Sequence, residues 1–227
     1  MENLNFFLPE IFLSMSIFVT LLIGVFIKNS YSIVTKLIYA VIIFLILIIG
    51  DNFNDSLTLF SNAYTSNSLT NFFKILILVS SIFTLTISQN YIKENNINYF
   101  EYSIILLLSV LGMFVMISSN DLILFYLGLE LQSLSLYILA SLDRDNLRSN
   151  EAGLKYFVLS ALASGLLLYG CSLLYGFARS ANFEAINQNI DGNNIGQIVA
   201  MVFILVGLAF KVSAVPFHMR SEEHTSE

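Results

Sequence analysis

The sequence predicts an all-α protein, a polytopic transmembrane bundle of about seven helices. The first observation is the shortage of charge. Of 227 residues, 56% are hydrophobic and only 11% are charged, and the mean hydropathy is +0.77. A soluble domain is about half apolar and about a quarter charged. So few charges cannot cover a surface in water, so lipid must surround most of this chain.

The second observation is a series of long runs with few or no charges. A helix that crosses a bilayer needs about 20 mostly apolar residues. The fifth run is interrupted only by Glu130 and the seventh only by Lys211. The second run is the shortest, so we expect Lys36 to extend toward the lipid headgroups. The predicted spans are residues 10–28, 36–51, 74–93, 101–121, 121–143, 153–179 and 197–218.

The third observation is that the connections are short. Asn120 and Asp121 form a tight turn, so the fourth and fifth helices must be antiparallel neighbours. The longest loops, residues 52–70 and 179–196, are rich in Asn, Ser and Gly. The sequence therefore predicts one transmembrane domain over residues 1–219 and no soluble domain. Residues 220–227 do not continue the apolar pattern, and we interpret them as a foreign or disordered tail.

The distribution of Lys and Arg predicts an orientation with the N-terminus outside. Cytoplasmic loops of membrane proteins carry the excess of these residues. Five of them flank the loops after the first, third and fifth helices, whereas two flank the alternate loops. The first set is Lys28, Lys36, Lys93, Arg144 and Arg148, and the second is Lys74 and Arg179.

Composition also excludes several classes of protein. The net charge of −6 and the pI near 4.8 argue against a nucleic-acid partner, which needs a basic patch. The single cysteine, Cys171, excludes a disulfide within the chain, and no Cys/His cluster has metal-ligand spacing. Without a glycine-rich nucleotide loop or cysteine ligands, we expect the chain to bind neither a nucleotide cofactor nor an iron–sulfur cluster.

Glu130 is the first residue expected to carry chemistry. It follows Asp121 by nine residues, which places it about 13 Å deep in the membrane at 1.5 Å per residue. An ionisable group there costs at least about 2.5–3.5 kcal/mol. Tyr126, Ser133 and Tyr137 share its helical face, so this polar stripe must face protein or water. Glu130 is either a protonated packing residue or an ion-moving group. The second is favoured, because a simpler polar residue would serve for packing.

Lys211 is the second such residue. A lysine that loses contact with water gives up its proton more readily, and a neighbouring carboxylate reverses this effect. Pro216 follows five residues later and should kink or break the helix. Broken helices at membrane depth line ion sites in transport proteins. The alternative is a lysine near a helix end whose side chain reaches the surface.

Three further ionisable residues have less certain roles on sequence grounds. Lys155 follows Glu151 by four residues, a spacing that favours an ion pair on a helix surface. It equally fits a relay that passes charge between the groups on the fifth and seventh helices. His218 lies seven residues after Lys211 and is either a further proton carrier or an interfacial residue. Glu10 is expected to be solvated near the mouth of the first helix.

Small residues on the sixth predicted helix have a spacing that permits close helix contact. They are Ser160, Ala161, Ser164 and Gly165. This pattern predicts packing and nothing more.

Three segments together resemble a known family. They are residues 120–134, which include YLGLELQSL, residues 151–157 (EAGLKYF) and residues 207–218 (GLAFKVSAVPFH). In this order and spacing they resemble the subunit N family (subunit 2 in mitochondria) of proton-pumping NADH–quinone oxidoreductase, respiratory complex I. The resemblance extends to about residue 219.

The resemblance implies an antiporter-like proton channel of about fourteen helices, built from two inverted repeats. In it, Glu130 matches the glutamate of helix five and Lys155 matches a charged position in helix six. Lys211 matches the lysine before the break in helix seven. The family continues after Pro-Phe-His with a Trp-Thr-Pro-Asp type of loop, whereas residues 219–222 here are MRSE. We therefore expect a truncated chain that lacks the second repeat.

The resemblance also implies the chain's surroundings. Its partners would be the other membrane subunits of complex I and the bilayer, within a respiratory electron-transport chain. NADH, FMN, the iron–sulfur clusters and quinone would be bound by other subunits, so no cofactor and no redox site is expected here. The location would be the bacterial inner membrane, with multiple spans, or alternatively the mitochondrial inner membrane.

Two other functions remain to be weighed. A subunit of a multi-subunit sodium/proton antiporter would have the same fold and a similar Glu/Lys pair. The residues around Glu130, LELQS, favour the subunit N family over that alternative. A membrane scaffold whose charges only dock helices would give no reason for a lysine followed by a proline break.

Overall fold

A computed structural model describes residues 6–27, 30–54, 56–94, 99–190 and 194–214. These residues form eight helices and one two-stranded hairpin. Their order is α1 (Leu8–Phe26), α2 (Ser30–Asp51), β1 (Leu57–Leu59), β2 (Tyr64–Ser66), α3 (Ser68–Glu94), α4 (Glu101–Ile117), α5 (Leu122–Ala140), α6 (Leu147–Ala178), α7 (Phe183–Asn189) and α8 (Ile195–Lys211).

The predicted all-α transmembrane bundle is confirmed. Five helices of the described chain, α1, α2, α3, α5 and α6, are long and apolar enough to cross a membrane. The shorter apolar helices α4 and α8 account for the other two predicted spans. The hairpin and the seven-residue α7 lie in the two longest predicted loops.

Several helices begin earlier than the sequence predicts. α2 begins at Ser30, so it has 22 residues and Lys36 is an exposed side chain inside the helix. The expectation that this span would be the shortest is therefore wrong. α3 begins at Ser68, where the backbone N–H of Thr70 donates to the side chain of Asn67 at 2.9 Å. The N–H of Asn67 donates in return to the Thr70 hydroxyl at 2.8 Å, which completes a reciprocal cap.

The chain divides into two compact units, residues 1–153 and 154–227. In the first unit α4 contacts α1, α2, α3 and α5. Its core consists of apolar side chains from the first four helices. The fully buried members include Leu13, Val34, Ile38, Ile42, Leu45, Leu78, Leu107 and Phe114.

The antiparallel pair α4 and α5 is packed backbone to backbone. A Cβ added at Gly112 would lie 2.5 Å from the backbone nitrogen of Gln132, and one at Gly128 would lie 2.6 Å from that of Met116. Asp121 caps α5, because its carboxylate accepts from the backbone N–H of Ile123 at 2.8 Å. The predicted tight turn and the neighbouring position of these helices are confirmed.

The hairpin rests on this same turn. β1 and β2 pair antiparallel, and the turn residues Phe60, Ser61 and Asn62 all have positive φ angles. The N–H of Thr65 donates to the Ser118 carbonyl at 2.7 Å, and that of Asn120 donates to the Ala63 carbonyl at 2.8 Å. The loop after α2 is therefore attached to the start of α5.

In the second unit, α6 and α8 make close contact at two glycines. A Cβ at Gly170 would lie 2.8 Å from Ile204, and one at Gly207 would lie 2.7 Å from the Cβ of Leu167. Of the small residues whose spacing on this helix permits close contact, only some are buried. Ser160 and Ser164 are buried, but Ala161 is exposed and a Cβ on Gly165 would meet no atom within 4 Å.

Candidate functional site

Glu130 lies in the middle of α5 and is partly buried. Ser133 and Tyr137, on the same face, are more deeply buried, with 8% and 5% of their surface exposed. The Ser133 hydroxyl donates to the Leu129 carbonyl at 2.7 Å, so it is satisfied by its own helix. A polar face along one continuous helix is therefore present, as predicted, and its two buried members show that this face is turned away from lipid.

Lys211 is the last residue of α8 and is also only partly buried. Its Nζ donates a hydrogen bond to the hydroxyl of Ser160 on α6, at 2.9 Å. Both side chains line a cavity of about 120 Å³, together with Tyr156, Phe210 and Ser213. The helix ends at Lys211 itself, so the lysine directly precedes a break, and this break comes earlier than the one predicted at Pro216.

The end of α8 is produced by the backbone. Ser213 adopts a left-handed conformation with φ of 52°. Its N–H donates to the Phe210 carbonyl at 3.1 Å, and the N–H of Ala214 donates to the Ala209 carbonyl at 2.9 Å. These two bonds form a Schellman motif, which usually has glycine at the left-handed position. The last four residues of the predicted span, 215–218, lie outside the described part of the chain.

Several predicted features fall outside the described residues. They are Pro216, His218 and the tail at residues 220–227. Within the described residues α8 ends at Lys211, five residues before Pro216.

Lys155 is an exposed residue of α6. It precedes Ser160 by five residues, which turns it by about 140° around the helix from the face that meets Lys211. The proton-relay role of Glu130, Lys155 and Lys211 stays a prediction.

Sequence reasoning missed a second set of charged residues. In the first unit, Glu10 on α1 and Lys74 on α3 form an ion pair of 2.7 Å, with 3% and 1% of their surface exposed. The hydroxyl of Tyr64 on β2 donates to the same Glu10 oxygen at 2.9 Å and accepts from Lys74 at 3.0 Å. The expectation that Glu10 is solvated is therefore wrong. We call Glu10, Tyr64 and Lys74 the α1–α3 cluster.

Aromatic rings enclose the lysine of this cluster. Its Nζ lies 5.3 Å from the ring centroid of Tyr64 and 5.7 Å from that of Phe114 on α4. Rings at these distances attract a cation through their negative faces. The sequence does contain one indication of this ion pair. The first and third predicted helices begin on the same side of the membrane, and their starts carry opposite charges. Only the fold shows that the two starts are in contact.

The pKa of Tyr64 is raised by burial and, next, by the charge of Glu10, while an interaction with Ser118 works in the opposite direction. A raised pKa keeps the Tyr64 hydroxyl protonated at neutral pH. The hydroxyl can therefore donate to the carboxylate as the distance indicates.

The burial of Lys74 also changes the charge count used for orientation. A lysine paired inside the protein is not a loop charge, so the alternate loops keep Arg179 alone. The ratio becomes five against one, and the N-outside orientation is strengthened as a prediction.

Within the described residues, no group of three or more His, Cys, Asp or Glu could hold a metal ion.

The comparisons with known proteins define the class first. Residues 119–221 match the family model described as NADH:quinone oxidoreductase/Mrp antiporter, TM. Over these residues the chain is similar to the antiporter-like membrane subunits that this model describes. Over most of its length it is similar to NADH-quinone oxidoreductase subunit N.

Three relatives with that name show the extent of the similarity. The protein from Pelagibacter ubique is 55% identical over 220 residues, which cover 96% of this chain and 47% of the relative. Those from Bartonella bacilliformis and Paramagnetospirillum magneticum are 47% and 46% identical, over 93% of this chain and 44% and 45% of theirs. The chain thus spans about half the length of the curated relatives it matches.

Solved structures agree on the fold. A chain in the structure of respiratory complex I from Thermus thermophilus with bound aureothin is 26% identical, with a TM-score of 0.77. The match covers 92% of this chain and 45% of that one. A chain of the Mrp complex from a Dietzia species has a TM-score of 0.69 over 93% of this chain and 42% of its own. At 21% identity, that second likeness shows the fold alone.

Proposed function

We propose that the chain forms part of the membrane subunit of NADH–quinone oxidoreductase that translocates protons, coupled to quinone reduction elsewhere in the complex. The similarity to proteins named subunit N, over 93–96% of the chain, supports this class. Its partners would be the other membrane subunits, and its location the bacterial inner membrane, since these relatives are bacterial.

The observation that carries the proposal is the setting of Lys211. Its ammonium group lies at a helix end, beside a cavity of about 120 Å³, and donates to the neutral hydroxyl of Ser160. That volume has room for several water molecules, since one water occupies about 30 Å³ in the liquid. The Ser160 hydroxyl fixes the position of the ammonium group beside this cavity. A lysine held in this way can exchange a proton with water in the cavity.

A carboxylate completes the proposed mechanism. When a carboxylate approaches a lysine it favours the charged form, and when it withdraws it favours release of the proton. Glu130 is the proposed carboxylate, and Lys155 is the proposed relay between it and Lys211. Redox chemistry is assigned to other subunits, which would drive the approach and withdrawal of these charges.

The test is proton pumping by the complete complex with Glu130→Gln or Lys211→Ala. Each substitution removes one charge of the pair, and we expect quinone-coupled pumping to fall to about a tenth or less while the complex still assembles. Proton uptake by vesicles during NADH oxidation is the measurement. Lys36→Ala is the matched control, since Lys36 is an exposed lysine on α2.

Two results would contradict the proposal. Normal pumping by either variant would remove that residue from the proton path. Sodium transport by reconstituted vesicles without NADH or quinone would instead support the antiporter alternative, whose fold is the same.

A further inference from the structure

The α1–α3 cluster has no place in the proposed proton path, yet it buries two charges. Glu10 lies in the first turn of α1 and Lys74 in the second turn of α3. Removing both charges from water is strongly unfavourable, and only close geometry with further hydrogen bonds offsets this loss. A buried pair of this kind therefore needs an explanation.

The hydrogen bonds of the cluster form a closed ring. Lys74 donates to Glu10 and to Tyr64, and Tyr64 donates to Glu10, all within 3.0 Å. The ring of Phe114 lies beside the lysine. Three residues thus connect α1, the hairpin and α3. The contact between Phe114 and Lys74 also links α4 to them. Two hydrogen bonds and two aromatic faces occupy the surroundings of the ammonium group.

The residue that closes this ring also belongs to the segment docked on the start of α5. Tyr64 forms an isolated bridge with Ser119. The backbone hydrogen bonds of Thr65 and Asn120 described above lie on either side of this bridge. Asp121, which caps α5, is the next residue after Asn120.

We propose that the α1–α3 cluster is a lock that fastens α1, α3 and the hairpin to the turn before α5. Its residues are positioning residues, and its charges fix the helix ends instead of carrying protons. The near-complete exclusion of all three side chains from water supports this assignment, with exposures of 3%, 1% and 1% for Glu10, Tyr64 and Lys74.

The test compares single and paired substitutions in the complete complex. Glu10→Leu and Lys74→Met each leave one buried charge without its counter-charge, whereas the double variant removes both. We expect each single variant to lower the yield of assembled complex about fivefold or more, and the double variant to recover more than half of the loss. Native gel electrophoresis of solubilised membranes measures the yield.

Hydrogen exchange localises the effect. The amides of Thr65 and Asn120 should exchange at least about tenfold faster in both single variants, because the hairpin detaches from the turn when the lock opens. Tyr64→Phe keeps the aromatic ring and removes the hydroxyl, so it should accelerate exchange at the same two amides by a smaller factor. Lys36→Met is the matched control and should leave exchange and yield unchanged.

Three results would contradict the proposed positioning role of the α1–α3 cluster. One is wild-type yield and exchange in both single variants. Another is a double variant no better than the singles, which would show that the two charges are not coupled. The last is a lowered ratio of protons to electrons with yield and exchange intact, which would place the pair in a proton path.

Discussion

Lys74 and Lys211 are both lysines of apolar helices, and their surroundings are opposite. Lys74 is 1% exposed and is held by a carboxylate, a hydroxyl and two aromatic faces. Lys211 is partly exposed and donates to the hydroxyl of Ser160 beside a cavity. The partners of Lys74 therefore close its site to water, whereas Lys211 borders a space that water can enter.

The sequence suggests the reverse arrangement. Lys74 begins a predicted span and Lys211 lies inside one, so the first should be at the surface and the second buried. The structure differs because the ends of the helices are decided by caps. Asn67 and Thr70 begin α3 six residues before Lys74, and Ser213 ends α8 at Lys211. Position in an apolar run is therefore a poor guide to the burial of one charge.

The largest effect should come from replacing each lysine by methionine. Lys74→Met leaves Glu10 buried and unpaired and should lower the free energy of unfolding by about 3–5 kcal/mol. Lys211→Met removes a hydrogen bond from a partly exposed site and should lower it by about 1 kcal/mol. Thermal unfolding in detergent measures both. Equal losses would show that the two lysines are held alike.

A medium effect should come from the glycine contact beside Lys211. Gly207→Leu would force α8 away from Leu167 on α6 and should lower the free energy of unfolding by about 1–3 kcal/mol. Gly165→Leu is the matched control on α6, because its Cβ would meet open space. The control should be neutral or slightly stabilising, since glycine weakens a helix by about 0.5–1 kcal/mol. Thermal unfolding measures the loss of stability in the two variants. A similar loss in both would contradict the close contact at Gly207.

The smallest effect should come from Ser160→Ala. The variant loses one neutral partner of Lys211, so stability should fall by about 1 kcal/mol and proton pumping by a few-fold. Ser160→Thr keeps the hydroxyl and should restore most of the pumping, which a purely structural role would not require. Ser172→Ala, at an exposed position of the same helix, is the control. Unchanged pumping in Ser160→Ala would show that the hydroxyl does not orient Lys211.

The sequence by itself determined the membrane class, the seven apolar helices and the tight turn at Asn120 and Asp121. These features depend on local composition, because a long run with few charges must be helical in lipid wherever it lies. The polar face of α5 around Glu130 also follows from helical periodicity alone.

Tertiary structure decided which charges are buried and which glycines are in contact. Glu10 is 54 residues from Tyr64 and 64 residues from Lys74 along the chain, and only the fold shows that they meet. Gly112 and Gly128 matter only because α4 and α5 lie against each other. The physical reason is that burial of a charge depends on partners from distant segments, whereas membrane insertion of a helix depends on its own side chains.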